Sequence, residues 1–270
     1  MAVHAHPDDE GSSTGGVLAR YAHEGFRTVV VTCTNGELGD LPDGTKPGED
    51  GHDEQRVVQI RRGELERACR ILDVTHLELL GYRDSGMADW EHKAHADAFC
   101  NVPLDEAASR LVELFERYRP EVVVTYNVDG AYNHPDHIHA SRATMAAVER
   151  TNIPAKAYLT GMRTSRFARV RELLREAGVE VPEPPPRPPE WIKKTEEQEA
   201  RITTTVDVAG YVGRKLDALR AHASQIHNFS WNRLPPEALS GVFGEETFIR
   251  VHDTTGTPLP EDDLFAGLRA

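Results

Sequence analysis

Apolar runs alternate along the chain with segments whose apolar residues recur at helical spacing, and this pattern predicts strands that alternate with helices. The predicted strands are 1–5, 28–34, 75–81, 121–127 and 155–161. The predicted helices are 12–24, 54–73, 104–118 and 136–150. Such alternation favours an α/β fold with a parallel sheet. We therefore predict a three-layer, mostly parallel, Rossmann-like sheet with helices on both faces, plus a smaller C-terminal portion.

Two stretches interrupt the alternation. Residues 39–54 are rich in Gly, Pro and Asp, which predicts a mobile loop. Residues 180–190, EVPEPPPRPPE, predict a stiff, polyproline-like connector. Beyond this connector we predict a strand at 202–208, a helix at 209–225 and a less regular tail.

These interruptions divide the chain into three predicted parts. Residues 1–178 form the Rossmann-like catalytic domain that carries the candidate site. Residues 179–198 form the proline-rich connector, and residues 199–270 form a C-terminal portion that packs on the catalytic domain.

Charge and composition narrow the classes of partner. The 270 residues carry a formal net charge of −13, which argues against nucleic acids and anionic membranes as partners. No apolar run approaches the ~20 residues of a membrane helix, and the N-terminal sequence lacks the features of a signal peptide. Three widely spaced cysteines, Cys33, Cys69 and Cys100, predict reduced thiols. We expect a cytoplasmic protein with a small-molecule partner and no membrane insertion, and a homo-oligomer is compatible with the sequence.

Polar, glycine-containing sequences follow four of the predicted strands. They are HPDDE (6–10), TNGELGD (34–40), YRDSG (82–86) and NVDGAYNHPDH (127–137). The carboxyl ends of parallel strands meet at one edge of a sheet, where ligands bind in α/β proteins. We therefore expect these four sequences to converge on one site.

The first of these sequences contains candidate metal ligands. His6 and Asp9 lie three residues apart at a strand-to-helix turn, and an imidazole and a carboxylate are suitable ligands for Zn²⁺. Asp8 lies between them and is free to act on a water molecule. Alternatively, Asp8, Asp9 and Glu10 only favour the positive N-terminus of the following helix. For Glu10 this second interpretation is the better one.

The second such turn, HPDH at 134–137, favours the metal site over helix capping. It again follows an apolar run and opens a predicted helix. The two turns together supply His6, Asp9 and His137, the number of protein ligands expected of a catalytic zinc site with a position open to water and substrate. Two such turns at neighbouring strand ends are hard to explain by helix capping. We predict a metal site for Zn²⁺, although Fe²⁺ suits the same ligands.

The sequences AHPDDE (5–10) and GAYNHPDH (130–137) resemble those of the LmbE/PIG-L family of zinc-dependent N-deacetylases. The resemblance extends from residue 2 to about residue 160 and returns at ALRAHASQI (218–226). The mycothiol branch is the most similar, through VVTCTNGELGD (30–40), IRRGEL (60–65) and RDSGMA (83–88). The resemblance implies a metal-dependent amide hydrolase that removes an N-acyl group, in the first place acetyl, from an N-acetylglucosamine-type substrate.

The resemblance also implies roles for single residues, beginning with His6, Asp9 and His137 as the zinc ligands. Asp8 matches the general base that deprotonates the attacking water. His134 matches the residue that stabilises the oxyanion or, when protonated, protonates the leaving amine.

Two further residues of the same region match functional positions. Asp136 could orient an imidazole, as carboxylates beside metal ligands often do. Tyr132 matches a mobile tyrosine near the oxyanion, although a packed loop aromatic is the alternative.

Arg61 and Asp84 match positions that hold the sugar. For Arg61 the alternative is a solvated helix face, and for Asp84 it is an Asx turn. His222, near the end of the C-terminal helix, either caps that helix or reaches the rim of the site. Mycothiol-conjugate amidases carry a lysine shortly after the HPDDE sequence, whereas this chain has GSSTGG at 11–16. This departure favours a smaller glycan substrate.

Several other functions remain open. An amidase that cleaves mycothiol-type conjugates releases a larger acid than acetate, and a deacylase of a glycosylated natural product is a further alternative. A sugar-binding or metal-storage protein needs neither Asp8 nor His134. No GxSxG sequence is present, so a serine hydrolase has little support.

Overall fold

The computed structural model describes residues 1–180 and 188–269. The strands are β1 (Ala2–His4), β2 (Val29–Thr34), β3 (His76–Tyr82), β4 (Val122–Thr125), β5 (Lys156–Gly161), β6 (Thr204–Asp207) and β7 (Glu245–Asp253). The α-helices are α1 (Asp9–His23), α2 (Glu54–Ile71), α3 (Leu104–Tyr118), the irregular turn α4 (Gly130–Asn133), α5 (Pro135–Thr151), α6 (Thr164–Glu176), α7 (Pro189–Ala200), α8 (Val212–Ala221) and α9 (Pro236–Phe243). Short 3₁₀ turns occupy Glu91–Ala94, Phe99–Asn101, Ala209–Tyr211, Ile226–Asn228 and Ser230–Arg233.

The strands form one sheet in the order β3-β2-β1-β4-β5-β7-β6. The pairs from β3 to β5 are parallel, whereas β7 pairs antiparallel with both β5 and β6. The predicted α/β fold with a mostly parallel sheet is therefore confirmed. The C-terminal portion contributes β6 and β7 to the same sheet, rather than only packing against it.

The two faces of the sheet bury different apolar clusters, because alternate residues of a strand point to opposite faces. Val31 packs with α3 and α5 on one face, in a cluster that includes Leu111 and Ala143. Val30, the preceding residue, packs on the other face with Leu65 of α2 and with α8. Full burial of each such side chain stabilises the fold by about 1.5–3 kcal/mol. This arrangement gives the three layers predicted from the sequence.

The predicted boundaries differ from the structure in several places. The first helix begins at Asp9 rather than at residue 12, and the predicted helix 209–225 is a 3₁₀ turn followed by the shorter α8. The prediction of a less regular tail is wrong, since β7 spans nine residues there. Residues 39–53 form turns without helix or strand, as expected of a loop.

The proline-rich connector falls only partly within the described residues. Residues 181–187 lie outside them, and the last part of the predicted connector 179–198 belongs to the helix α7. The division of the chain into domains stays a prediction. Among the described residues, no helix has both the length and the apolar character that crossing a bilayer requires.

The topology determines where a site can form. The chain order reverses at β1, which lies between β2 and β4 in the sheet. In open α/β sheets, the crevice outside the carboxyl ends of the strands at such a reversal is where ligands bind. The HPDDE sequence leaves β1, and the HPDH sequence follows β4.

Candidate active site and metal centre

The turn after β1 holds its residues in a strained conformation. Asp8 precedes α1 with φ 112° and ψ −23°, in the left-handed region that side chains other than glycine rarely adopt. Its backbone N–H donates to Glu10 Oε2 at 3.0 Å, and the Pro7 carbonyl accepts from the Arg61 guanidinium. Hydrogen bonds therefore hold the backbone of the turn on both sides of Asp8.

Three predicted ligands converge on one point. His6 Nδ1 lies 3.2 Å from His137 Nε2 and 3.3 Å from Asp9 Oδ2. His137 Nε2 lies 3.4 Å from the same Asp9 oxygen. Ligand atoms held tetrahedrally about 2.0–2.1 Å from a zinc ion are separated by ~3.3–3.4 Å, so this triangle has the dimensions of a metal site. All three side chains are buried. Among the described residues, two groups that share His6 have ligand atoms close enough to hold a metal ion: His6 with His134 and His137, and His6 with Asp84 and Asp136.

The charge state of Asp9 suits a ligand. Burial alone would raise the pKa of its carboxyl, but His137 and His6 hold the pKa well below its ordinary value. Asp9 is therefore a carboxylate, which is the form that coordinates a cation.

Asp136 supports His6. His6 Nε2 lies 3.2 Å from Asp136 Oδ2 and 3.5 Å from Asp84 Oδ1. Asp136 is fully buried and accepts hydrogen bonds from the backbone N–H of Ser85, at 2.9 Å, and from its hydroxyl. The imidazole that Asp136 orients is thus that of His6, across the site, and not that of its neighbour His134.

Tyr126, at the end of β4, supports the other two ligands, although the sequence pattern does not single it out. Its hydroxyl donates to Asp9 Oδ2 at 2.7 Å and accepts from the backbone N–H of Ala5 at 2.7 Å. Its ring stacks on that of His137, with centroids 4.1 Å apart. The only local signal is a polar-tipped aromatic residue at the carboxyl end of a buried strand.

His134 is the N-cap of α5. Its Nδ1 accepts the backbone N–H of Asp136 at 3.2 Å, so the proton of the neutral ring lies on Nε2. Burial, with His6 and His137 nearby, lowers the pKa of His134 to about 2. The neutral ring is therefore the favoured form, in which Nε2–H is a hydrogen-bond donor.

Asp8 has the properties of a base. Its side chain is about one-fifth exposed and lines the same cleft as His134. Burial raises the pKa of Asp8 to about 6, against the opposing effect of Arg61, whose Nη2 lies 3.1 Å from Asp8 Oδ2. A carboxylate with a raised pKa is a better proton acceptor than an ordinary one.

Arg61 is not on a solvated helix face. It is buried, and its Nη1 donates to the Gly36 carbonyl at 2.8 Å, while Nη2 reaches Pro7 and Asp8. Arg61 therefore bridges the loops after β1 and β2 and also lines the cleft.

Asp84 forms an Asx turn and also lines the cleft. Asp84 Oδ1 accepts from the backbone N–H of Gly86 at 2.8 Å, which is an Asx-type bond. The same oxygen faces His6 and lines the cleft.

Glu10 and His222 form a buried pair behind Asp8. His222 Nε2 lies 2.7 Å from Glu10 Oε1, and both side chains are almost completely excluded from solvent. Burial alone would lower the pKa of His222, but Glu10 raises it above its ordinary value. His222 is the C-cap of α8, where its backbone N–H donates to the Leu219 carbonyl, and its side chain also reaches Glu10 behind Asp8.

Tyr132 lies at the mouth of the cleft on a strained turn. Ala131, with φ 65° and ψ −62°, has the dihedral angles of a γ-turn, which is unfavourable for an L-residue. A Cβ at Gly130 would lie 2.8 Å from the Cβ of His137, so only glycine fits there. Tyr132 is 57% exposed, with its ring centroid 5.7 Å from that of His134.

The cleft is lined by two kinds of side chain. Charged and polar residues, among them Arg61, Asp40 and Gln225, are one kind. The apolar side chains that line it are Leu38, Met87 and Trp90. A substrate that fills the cleft would meet both polar and apolar contacts.

Comparisons with known proteins agree with this geometry. The family model for PIG-L, GlcNAc-PI de-N-acetylase, matches residues 1–148. A 1D-myo-inositol 2-acetamido-2-deoxy-α-D-glucopyranoside deacetylase of Acidothermus cellulolyticus is 39% identical over 281 residues, which cover 99% of this chain and 94% of the relative. A mycothiol S-conjugate amidase of Streptomyces coelicolor is 35% identical over 290 residues, covering 100% of this chain and 97% of the relative.

Solved structures share the fold at lower identity. The N,N'-diacetylchitobiose deacetylase of Pyrococcus horikoshii matches with a TM-score of 0.62 and 18% identity, over 93% of this chain and 82% of that protein. The 4-carboxy-2-hydroxymuconate hydratase of Pseudomonas putida matches with a TM-score of 0.60 and 19% identity, over 96% of this chain and 98% of that protein. Because a hydratase shares the fold, the activity has to be argued from the site. Given the family model and the relatives that match along nearly its whole length, the chain belongs to the PIG-L family.

Proposed function

We propose that this chain is a zinc-dependent N-deacetylase that removes the acetyl group from an N-acetylglucosamine-type amine. The observation that carries the proposal is the triangle formed by His6, Asp9 and His137, with Asp8 and His134 lining the same cleft. The names of the relatives support the reaction class.

Zinc is the proposed ion, held by His6 Nδ1, Asp9 Oδ2 and His137 Nε2. Two imidazoles and one carboxylate, with a position left open, form the ligand set of a hydrolytic zinc site, although Fe²⁺ accepts the same ligands. When bound, the metal would polarise the amide carbonyl and lower the pKa of a water molecule toward about 7.

Asp8 is the proposed general base. It accepts a proton from the attacking water and, with a pKa near 6, can return that proton to the departing nitrogen. His134 is less suited to proton transfer because its pKa is so low. One carboxyl group thus serves both proton transfers.

His134 is the proposed donor to the amide oxygen. Negative charge develops on this oxygen as the carbonyl carbon is attacked, and a donor already in place stabilises it. The cap bond from Asp136 holds the ring so that Nε2–H is available. Tyr132, at the mouth of the same cleft, can add a second donor when its turn moves inward.

An amino sugar is the proposed substrate class, with Arg61 and Asp84 contributing to its binding from the cleft wall. A cytoplasmic location is proposed with it, consistent with the buried free thiols of Cys33 and Cys69. An amidase acting on thiol conjugates is the second candidate, since the apolar residues Leu38, Met87 and Trp90 could contact an apolar adduct.

Metal analysis combined with product analysis tests the proposal. Purified protein is assayed for metal by mass spectrometry, and for acetate release from N-acetylglucosaminyl-inositol and from N-acetylglucosamine. One zinc ion per chain with acetate release is the expected result. Release of a larger acid from a thiol conjugate, without acetate from either sugar, would favour the amidase. A chain that binds no metal after reconstitution would contradict both candidates.

A further inference from the structure

The segment 222–225, which follows α8, bonds to residues in the cleft wall and behind it. The backbone N–H and the hydroxyl of Ser224 both donate to the Glu64 carboxylate, at 2.8 and 2.7 Å. Gln225 Nε2 donates to the Asp40 carbonyl at 2.9 Å. This segment lies beyond the residues that the family model matches, yet it contacts the elements that carry the site.

His222 makes the contact closest to the catalytic turn. Its Nε2 lies 2.7 Å from Glu10 Oε1, while Glu10 Oε2 accepts the backbone N–H of Asp8 at 3.0 Å. Glu10 is 0% exposed and His222 is 1% exposed, so water does not compete for either bond. Each oxygen of one carboxylate thus has one protein donor.

The backbone of Asp8 requires such a restraint. A non-glycine residue at φ 112° costs of the order of 1–3 kcal/mol and persists only where its surroundings fix it. Arg61 holds the Pro7 carbonyl on one side of the strained residue, and Glu10 holds the Asp8 N–H on the other. Without an anchored Glu10, the Asp8 turn could relax and its carboxylate would move.

We infer that His222 is a positioning residue for the reaction, because it anchors the carboxylate of Glu10 that fixes the backbone of the proposed base Asp8. This inference rests on the proposed function, in which Asp8 transfers the proton. It assigns part of the catalytic machinery to the C-terminal portion of the chain. Among the described residues that line the cleft His222 is absent, and its side chain bonds to Glu10 rather than to His6, Asp9 or His137.

The test is His222→Phe, which retains a ring of similar shape and removes the donor. We expect kcat for acetate release to fall about 10- to 100-fold, the size of effect that a small misplacement of a reacting group produces. KM and the zinc content should stay within about twofold of wild type, since the ligand side chains and the cleft residues other than Asp8 are not altered. His222→Gln, whose amide can donate to Glu10, should recover most of the lost kcat.

Ser224→Ala is the matched control, because it removes a bond of the same segment to Glu64 without touching Glu10. It should leave kcat near wild type. An equal loss in Ser224→Ala and His222→Phe would overturn the inference, because the loss would then come from general loosening of the segment. Unchanged kcat in a folded His222→Phe protein would also overturn it.

Glu10→Ala extends the test. If His222 acts only through Glu10, the double variant Glu10→Ala/His222→Phe has the same kcat as Glu10→Ala alone. If the two losses of kcat multiply in the double variant, the residues act independently and the inference is contradicted. If the thermal melt shows that His222→Phe does not fold, Glu10→Ala and His222→Gln decide the question. We then expect a low kcat in Glu10→Ala and a kcat near wild type in His222→Gln. A normal kcat in Glu10→Ala overturns the inference. Wild-type protein that releases no acetate from any substrate would instead remove the proposed function.

Discussion

The two turns that build the site share the tripeptide His-Pro-Asp but use its side chains in opposite ways. In the first turn, His6 faces Asp9 and His137, and Asp8 lines the cleft. In the second turn, His134 lines the cleft, while Asp136 is fully buried and orients His6. In the proposed function, the same residue types would thus be a ligand and a base in one turn, and a donor and a support in the other.

The difference follows from where each helix begins. The helix α1 begins at Asp9, after the tripeptide, and leaves Asp8 in a strained left-handed conformation outside the helix. The helix α5 begins at Pro135, inside the tripeptide, so His134 becomes its N-cap. Proline is well suited to the first helical position. A motif therefore does not determine the role of its residues until the start of the helix is known.

Metal binding should distinguish the two turns most sharply. His137→Ala removes one corner of the ligand triangle and should reduce both zinc content and acetate release to background. His134→Ala, a histidine of the same turn that is not a corner of the triangle, should retain about one zinc per chain. Metal analysis of the two variants side by side checks this difference. Loss of zinc in His134→Ala, or retention in His137→Ala, would reverse the assignment.

Replacing the first aspartate should stop turnover without loss of metal. Asp8→Asn keeps the size of the side chain but cannot accept the proton, so we expect kcat to fall about 10²- to 10⁴-fold. Zinc content should be unchanged. Single-turnover assays with the metal-loaded variant measure this effect, and an Asp8→Asn enzyme with near wild-type kcat would exclude Asp8 as the base.

Replacing the second aspartate should give the complementary result. Asp136→Asn weakens the support of His6, and removal of such a partner costs about 10- to 100-fold in metal affinity or activity. We expect zinc affinity to fall in competition titrations with a chelator, and excess zinc to restore most of the activity. If the zinc affinity of Asp136→Asn is normal and excess zinc restores no activity, Asp136 acts in the reaction itself. The two aspartates would then not differ in role as proposed.

Sequence patterns anticipated the parts of this protein that depend on neighbours along the chain. The apolar runs of β2 and β4 and both His-Pro-Asp turns are local signals. They predicted the parallel sheet and the side chains that the structure brings together as candidate ligands. The strand β7 was missed because its partner β5 lies about 90 residues earlier, and no local period records that pairing. The Glu10–His222 contact, which spans 212 positions, was hidden for the same reason.

Side chains that bond to the backbone were also difficult to predict. Arg61 donates to the carbonyls of Pro7 and Gly36, and these acceptors exist at every residue of a chain. Nothing in the sequence indicates which carbonyls an arginine will reach. Only the folded positions of the loops after β1 and β2 show that Arg61 bridges them.

The smallest expected effect concerns helix capping, which is a role of His134 in α5 but not of His6 in α1. His134→Ala removes the acceptor for the Asp136 N–H and should lower the free energy of unfolding by about 0.5–2 kcal/mol. His134→Asn places a good N-cap residue there and should retain most of this stability. Both variants lack the imidazole, so both should lose the activity that depends on Nε2–H. Urea unfolding of metal-free protein separates stability from metal binding. Equal stability of the two variants would mean that His134 does not cap α5, and the second turn would then differ from the first in chemistry alone.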